Sequence, residues 1–233
     1  MNSRRVSNFL LFAVAAALGF ATLRTAGAFP EPEPDRLRIP FGRLSFFAVP
    51  LGCPAVKDLG CGSLAGPLMT QIERHPNVSR VWINRSGTVL AVQRAERADS
   101  RGPTTAVEAA FRGRGMDAAP LDGDALGDAR HNFVLRDAVW YRPADVDRLS
   151  ETEAQVVATR IVGRVERRIA LPPESARAFR KELSTAFALC FRKGCSAGRR
   201  EIDRVAAKYL DARGVAVFDR SLEQGLEALP GEK

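Results

Sequence analysis

Apolar and polar positions follow two rhythms along this chain: short alternating blocks up to about residue 141, then recurrences every three or four residues. Leu44-Ser45-Phe46-Phe47-Ala48-Val49 is short, apolar and bounded by Pro50, which predicts a buried strand. Ser63 to Arg74 carries Leu64, Leu68, Met69 and Ile72 at helical spacing, with Ser63 as the expected N-cap and Pro67 tolerated in the early turns. Val78 to Asn84 alternates as a strand does, Arg85-Ser86-Gly87 turns the chain, and Thr88 to Val92 returns it, predicting an antiparallel hairpin. Thr104 to Phe111 reads as a second helix with Val107, Ala110 and Phe111 inward, stopped by Gly113 and Gly115. A glycine- and aspartate-rich passage follows Leu121, and Asn132 to Tyr141 reads as another strand, preceded by His131 in a polar loop.

Beyond Arg142-Pro143 the pattern is helical. Ser150-Glu151-Thr152-Glu153 has the spacing of a capping box, in which the serine hydroxyl serves an orphan N–H and Glu153 reaches back. Four apolar stripes follow: Val157, Ile161, Val165 and Ile169; Phe179, Leu183, Phe187, Cys190 and Phe191; Ile202, Val205, Tyr209 and Leu210; and Phe218, Leu222, Leu226 and Leu229. Stripes this regular predict helices packed on one another or on the sheet. The expected organisation is α+β. An antiparallel sheet domain of the ferredoxin-like, split βαβ kind spans residues 40–142, an α-helical region spans 143–229, and a frayed tail covers 230–233.

The N-terminus adds a compartment. Arg4 and Arg5 precede an apolar run from Phe9 to Leu23, shorter than the roughly 20 residues a spanning helix needs, and Ala26-Gly27-Ala28 suits signal peptidase. Residues 1–28 are therefore expected to be a cleaved signal and the protein periplasmic or secreted. Contact with the membrane is expected only through the N-terminal segment where it stays uncleaved. Residues 29–39, beginning FPEPEPD, form a linker. The formal charge of +8 falls to +5 once Arg4, Arg5 and Arg24 leave with the signal. The remaining arginines are scattered among acids without interleaved aromatics, so no nucleic-acid partner is expected.

Four cysteines fall into two local pairs, Cys53 with Cys61 and Cys190 with Cys195. Disulfides are the default for an even count in an exported chain. Cys190 and Cys195 fit a local disulfide, or a buried Cys190 beside a free Cys195, better than a zinc site, since no histidine accompanies them. With two histidines in the chain, His75 beside Pro76 and His131, no Ser-His-Asp constellation is credible. Glu151/Glu153 and Asp145/Asp147 precede a helix whose dipole accounts for them. No enzyme is expected.

Residues 44–121 resemble the heavy-metal-associated domain, the ferredoxin-like module of copper chaperones, metal-pumping ATPase N-termini and the mercury-binding periplasmic protein. Cys61-Gly62-Ser63-Leu64 stands where that family has its C-x-x-C loop. Ile72 to Val78 matches the helix exit, Val81-Trp82-Ile83-Asn84 the next strand, Gly87 to Val92 strand three, and Ala106 to Ala118 helix two and its end. The match is degenerate: the second ligand position is Leu64, Leu59 stands where a methionine is usual, and Met116 occupies a position close to the family's metal loop. The C-terminal region resembles nothing recognised. The resemblance implies a soft cargo ion of the copper or mercury type, held by Cys61 and Cys53 with Met116 nearby, because thiolates and thioethers select such ions. A helix N-terminus lowers a thiol's pKa, which poises Cys61 to ligate or to exchange disulfides. A second reading stays open: Cys53 and Cys61 form a structural disulfide, Met116 fills the core, and the protein is a metal-free adaptor docking a partner in the envelope.

Overall fold

The computed structural model describes residues 36–135, 137–193 and 195–232, with the side chains of 193–197 outside the described set. The expected signal and the start of the linker lie outside these residues. Among the described residues the fold is α+β, with one five-stranded antiparallel sheet and seven α-helices. β1 (Leu44–Ala48) leads to α1 (Gly62–Glu73), β2 (Val78–Asn84), β3 (Val89–Arg94) and α2 (Gly102–Arg112). β4 (Ala119–Pro120), α3 (Gly123–Val134) and β5 (Trp140–Tyr141) complete the sheet half. The strands lie in the order β4-β1-β3-β2-β5, every pairing antiparallel.

Alternation divides the sheet's side chains between two cores. Phe47, Val81, Ile83, Leu90 and Val92 face α1 and α2, whose Leu68, Met69, Ile72, Val107 and Phe111 are fully buried against them. Leu44, Phe46, Trp82, Ala91 and Trp140 face the other way, onto Ala129 and Phe133 of α3. Phe133 meets Phe46, Trp82 and Trp140 edge-on, with ring centroids 5.6, 5.4 and 5.0 Å away. This second layer was not anticipated. Residues 123–134 form a helix where a polar loop and the start of a strand were expected, so His131 is an exposed position on α3. The strand itself is only Trp140–Tyr141.

The linker does not continue as far as residue 39. Arg36–Arg38 form a 3-10 turn, and buried Arg36 donates to the carbonyls of Leu135 and Ala138 with its guanidinium 5.3 Å over the Phe133 ring.

Four helices follow: α4 (Asp147–Glu166), α5 (Pro173–Lys193), α6 (Cys195–Tyr209) and α7 (Ala212–Glu223). The expected stripes are inward: Val157, Ile161 and Val165 on α4, and Phe179, Leu183 and Phe187 on α5, share one apolar cluster with the sheet. That cluster crosses residue 142 without a break. At the seam Glu73, ending α1, accepts from the backbone N–H of Val81 at 2.9 Å and from Arg142 at 2.7 Å, while Arg142 lies 5.0 Å over Trp82.

The capping box is not formed. α4 begins a turn earlier, at Asp147, and Ser150 and Glu153 sit inside it with their side chains buried. Their i, i+3 spacing continues into Val157 and Ile161, so they belong to the inward stripe. The tail at 230–233 is not frayed over its described part, because Glu232 is bound by Arg164.

Candidate functional site

The cysteine loop continues β1 along the β2–β3 turn. Val49 donates to Thr88 O and Leu51 to Gly87 O, both at 3.0 Å, and Gly52 then bridges Gly60 antiparallel as the chain doubles back. Cys53 N–H donates to Leu59 O and Cys61 N–H to Leu51 O, each at 2.7 Å. Gly52 and Gly60 are therefore opposite one another on one face of this small ladder. Leu51, Cys53, Leu59 and Cys61 share the other face, all buried. Close approach requires the glycines: a Cβ on Gly60 would lie 3.0 Å from Gly87 Cα, and one on Gly87, at φ +71°, would lie 2.3 Å from Leu51 O. Between the arms, Asp58 takes a left-handed conformation at φ 58°.

Cys61, not Ser63, is the N-cap of α1. Its carbonyl accepts from Leu64 and Ala65, and its Sγ lies 3.1 Å from Ser63 Oγ. The helix starts close to α4: a Cβ on Gly62 would fall 2.5 Å from Ser150 Oγ and 2.8 Å from Val146 O. Glycine is what lets the thiol-bearing turn and α4 touch.

Cys53 faces α4 as well. Its thiol hydrogen-bonds the Glu153 carboxylate and is pushed up to about 12, first by burial and then by Glu153, against the opposing pull of the Val56 and Ala55 N–H groups. Burial raises Glu153 in turn, with the Cys53 bond opposing. Glu153 Oε2 and Ser150 Oγ are both buried without a hydrogen-bond partner, an arrangement that costs about 1–3 kcal/mol per group. Two turns further, buried Arg160 ties the loop to the C-terminal segment, donating to Ala55 O at 2.9 Å and Leu226 O at 2.6 Å.

Cys53 and Cys61 are thus brought to one face as free thiols, not joined to each other. Met116 is half-buried after α2 and packs on the apolar cluster that contains both sulfurs. Leu64, at the second ligand position of the resemblance, is 39% exposed. Among the described residues no group of three or more His, Cys, Asp and Glu side chains is disposed to hold a metal ion, so any ion here would have few ligands. Cys190 is buried and is not one of the free thiols, while the side chain of Cys195 lies outside the described set. His75 lies two residues beyond α1, its Nδ1 accepting from Asn77 N–H at 3.3 Å.

Sequence reasoning missed Glu153, Ser150 and Arg160. The signal was present in their phase, since all three fall on or beside the buried stripe of α4, but the Ser-x-x-Glu spacing read more simply as a cap. No family model, no curated protein and no solved structure matches this chain.

Proposed function

We propose that this is an exported soft-metal-binding protein in which Cys53 and Cys61 take one Cu(I)- or Hg(II)-type ion, for sequestration or hand-over, with Met116 as an auxiliary thioether. The observation that carries the reading is the placement of two free thiols on one face of a two-residue ladder, one of them at the start of α1. They occupy diagonal positions, which in antiparallel ladders lie about 7–8 Å apart. That exceeds the roughly 4.4–6.8 Å between Cα atoms that a disulfide tolerates. Two metal–thiolate bonds of about 2.3 Å each supply the missing reach. The few donors present favour a soft ion of low coordination number over zinc, which wants four ligands.

The sheet supports the ferredoxin-like part of the proposal. β3 lies between β1 and β2, which α1 connects, an order in keeping with a split βαβ reading, with β5 outside β2. On this reading the fold is a degenerate heavy-metal-associated domain whose second thiol has moved from the helix to the preceding arm of the loop.

One observation favours the metal-free adaptor instead: burial, and then the Glu153 carboxylate, keep the Cys53 thiol protonated, whereas a metal ligand must be a thiolate. Metal content after anaerobic purification, with Cu(I) and Hg(II) titrations of wild type, Cys53→Ser and Cys61→Ser, tests the choice. The proposal expects one ion per chain, lost in either variant. Equal binding by all three proteins overturns it and leaves the adaptor.

A further inference from the structure

At the end of the sheet away from the cysteine loop, where β1 and β2 begin and β3 ends, an open groove of about 800 Å³ gathers arginines from four separate segments. Arg38 comes from the N-terminal 3-10 turn, Arg43 from the residue before β1, Arg80 from β2 and Arg97 from the connector after β3. The volume falls within the roughly 300–1,000 Å³ of small-molecule sites. Among the described residues Glu96 is the one acidic residue in the lining. It lies 3.5 Å from Arg43 with its side chain 84% exposed, and Arg43 is also held by the Arg94 carbonyl at 3.0 Å. Among the described lining residues basic side chains therefore outnumber acidic ones. Arg38 and Arg97 are exposed and, among the described residues, make no hydrogen bond or ion pair.

Two further features shape the same wall. The β2–β3 register slips between Val78 and Arg80, so Ser79 is bulged out and Arg80 comes opposite Gln93. Bulges re-aim side chains, and here the slip sets Ser79 and Arg80 among the groove residues. Gln93, also in the lining, has its Oε1 buried with no hydrogen-bond partner. That acceptor would be satisfied by a ligand carrying a donor as well as negative charge.

We infer that this groove binds a glycerol phosphate group, the phosphate lying between the Arg38 and Arg97 guanidiniums beside Arg43 and a glycerol hydroxyl donating to Gln93. A phosphate ester supplies up to two negative charges and several acceptor oxygens for planar guanidinium forks. Simple carboxylates and sulfate offer charge but no donor at neutral pH. The group occurs both free and as the headgroup of phosphatidylglycerol. The inference is independent of the thiols and of any metal.

The test is calorimetric titration of the whole protein with sn-glycerol 3-phosphate, beside co-sedimentation with phosphatidylglycerol vesicles and with phosphatidylcholine vesicles. The double variant Arg38→Ala/Arg97→Ala removes exposed groups that make no hydrogen bond or ion pair among the described residues, and should fold. It is expected to bind at least about tenfold more weakly, the effect of losing charge-assisted hydrogen bonds. Gln93→Leu should erase any preference for glycerol phosphate over inorganic phosphate while keeping phosphate affinity. Saturable binding of the free ester supports a soluble ligand, and co-sedimentation with phosphatidylglycerol alone supports the lipid headgroup. The inference is overturned if neither binds, if inorganic phosphate binds wild type as well as the ester does, or if the double variant binds like wild type.

Discussion

Arg164 on α4 and Glu232, the penultimate residue of the sequence, form a nearly solvent-free ion pair. Their side chains are 2% and 8% exposed, and the guanidinium Nη2 lies 2.9 Å from Oε2. The same guanidinium donates to the carbonyls of Ser221, Gly225 and Glu227, so one side chain gathers the exit of α7 and the tail beyond it. Arg167 also meets the Glu232 carboxylate.

These donors hold the Glu232 carboxyl down at about 2, Arg164 contributing most. A group whose folded pKa is depressed stabilises the protein above its unfolded pKa, near 4.5, and loses that contribution as pH falls through about 2. The size is at most about 3 kcal/mol, from 1.36 kcal/mol per unit. Urea unfolding at pH 7 should find Glu232→Gln less stable by about 2–3 kcal/mol, with the two proteins converging as the pH approaches 2.

Ser150 discriminates a cap from a buried orphan. Loss of a serine cap costs about 1 kcal/mol, whereas Ser150 Oγ is buried and unpartnered, so removing it relieves a desolvated hydroxyl. Ser150→Ala is expected to leave the thermal midpoint unchanged or higher. Gly62→Ala should lower stability by about 1–3 kcal/mol, because its Cβ meets Ser150 Oγ and Val146 O too closely.

Cys53 should be slow to alkylate, its thiol held near 12. Glu153 contributes to that through a hydrogen bond and its charge, so Glu153→Gln lowers the Cys53 pKa. Stopped-time iodoacetamide labelling of the metal-free Cys61→Ser protein between pH 7 and 10 reads this as faster modification and a downshifted profile. Since the folded pKa lies above the unfolded value near 9, the protonated thiol favours folding at lower pH. That contribution fades as pH rises from about 9 towards 12.

Phe133 is the main apolar anchor of α3, fully buried in a ring cluster. Phe133→Ala should cost about 3–5 kcal/mol, read from equilibrium denaturation. Near-ultraviolet circular dichroism should lose the bands of Trp82 and Trp140.

Where periodicity was long and uninterrupted, the sequence was readable: β2 runs from Val78 to Asn84 as expected, and α1, β1 and β3 shift by a residue or two. α3 was hidden because Gly123 and Gly127 depress helix propensity and the aspartates suggest turns, while its inward set of Leu126, Ala129 and Phe133 is sparse. β4, two residues long, has no period to detect. In the candidate site the loop, its two thiols and the following helix could be read locally. The partners on α4 could not, because Glu153 and Arg160 reach the loop only through a chain reversal some hundred residues away.

The Arg160 side chain has a mechanical consequence. With one nitrogen serving both Ala55 O and Leu226 O, the thiol-bearing arm and the last stretch of chain hang from a common peg. Clipping the end of the polypeptide, by a protease or in a shortened expression clone, would slacken the stretch around Cys53 without touching a single atom of the sheet.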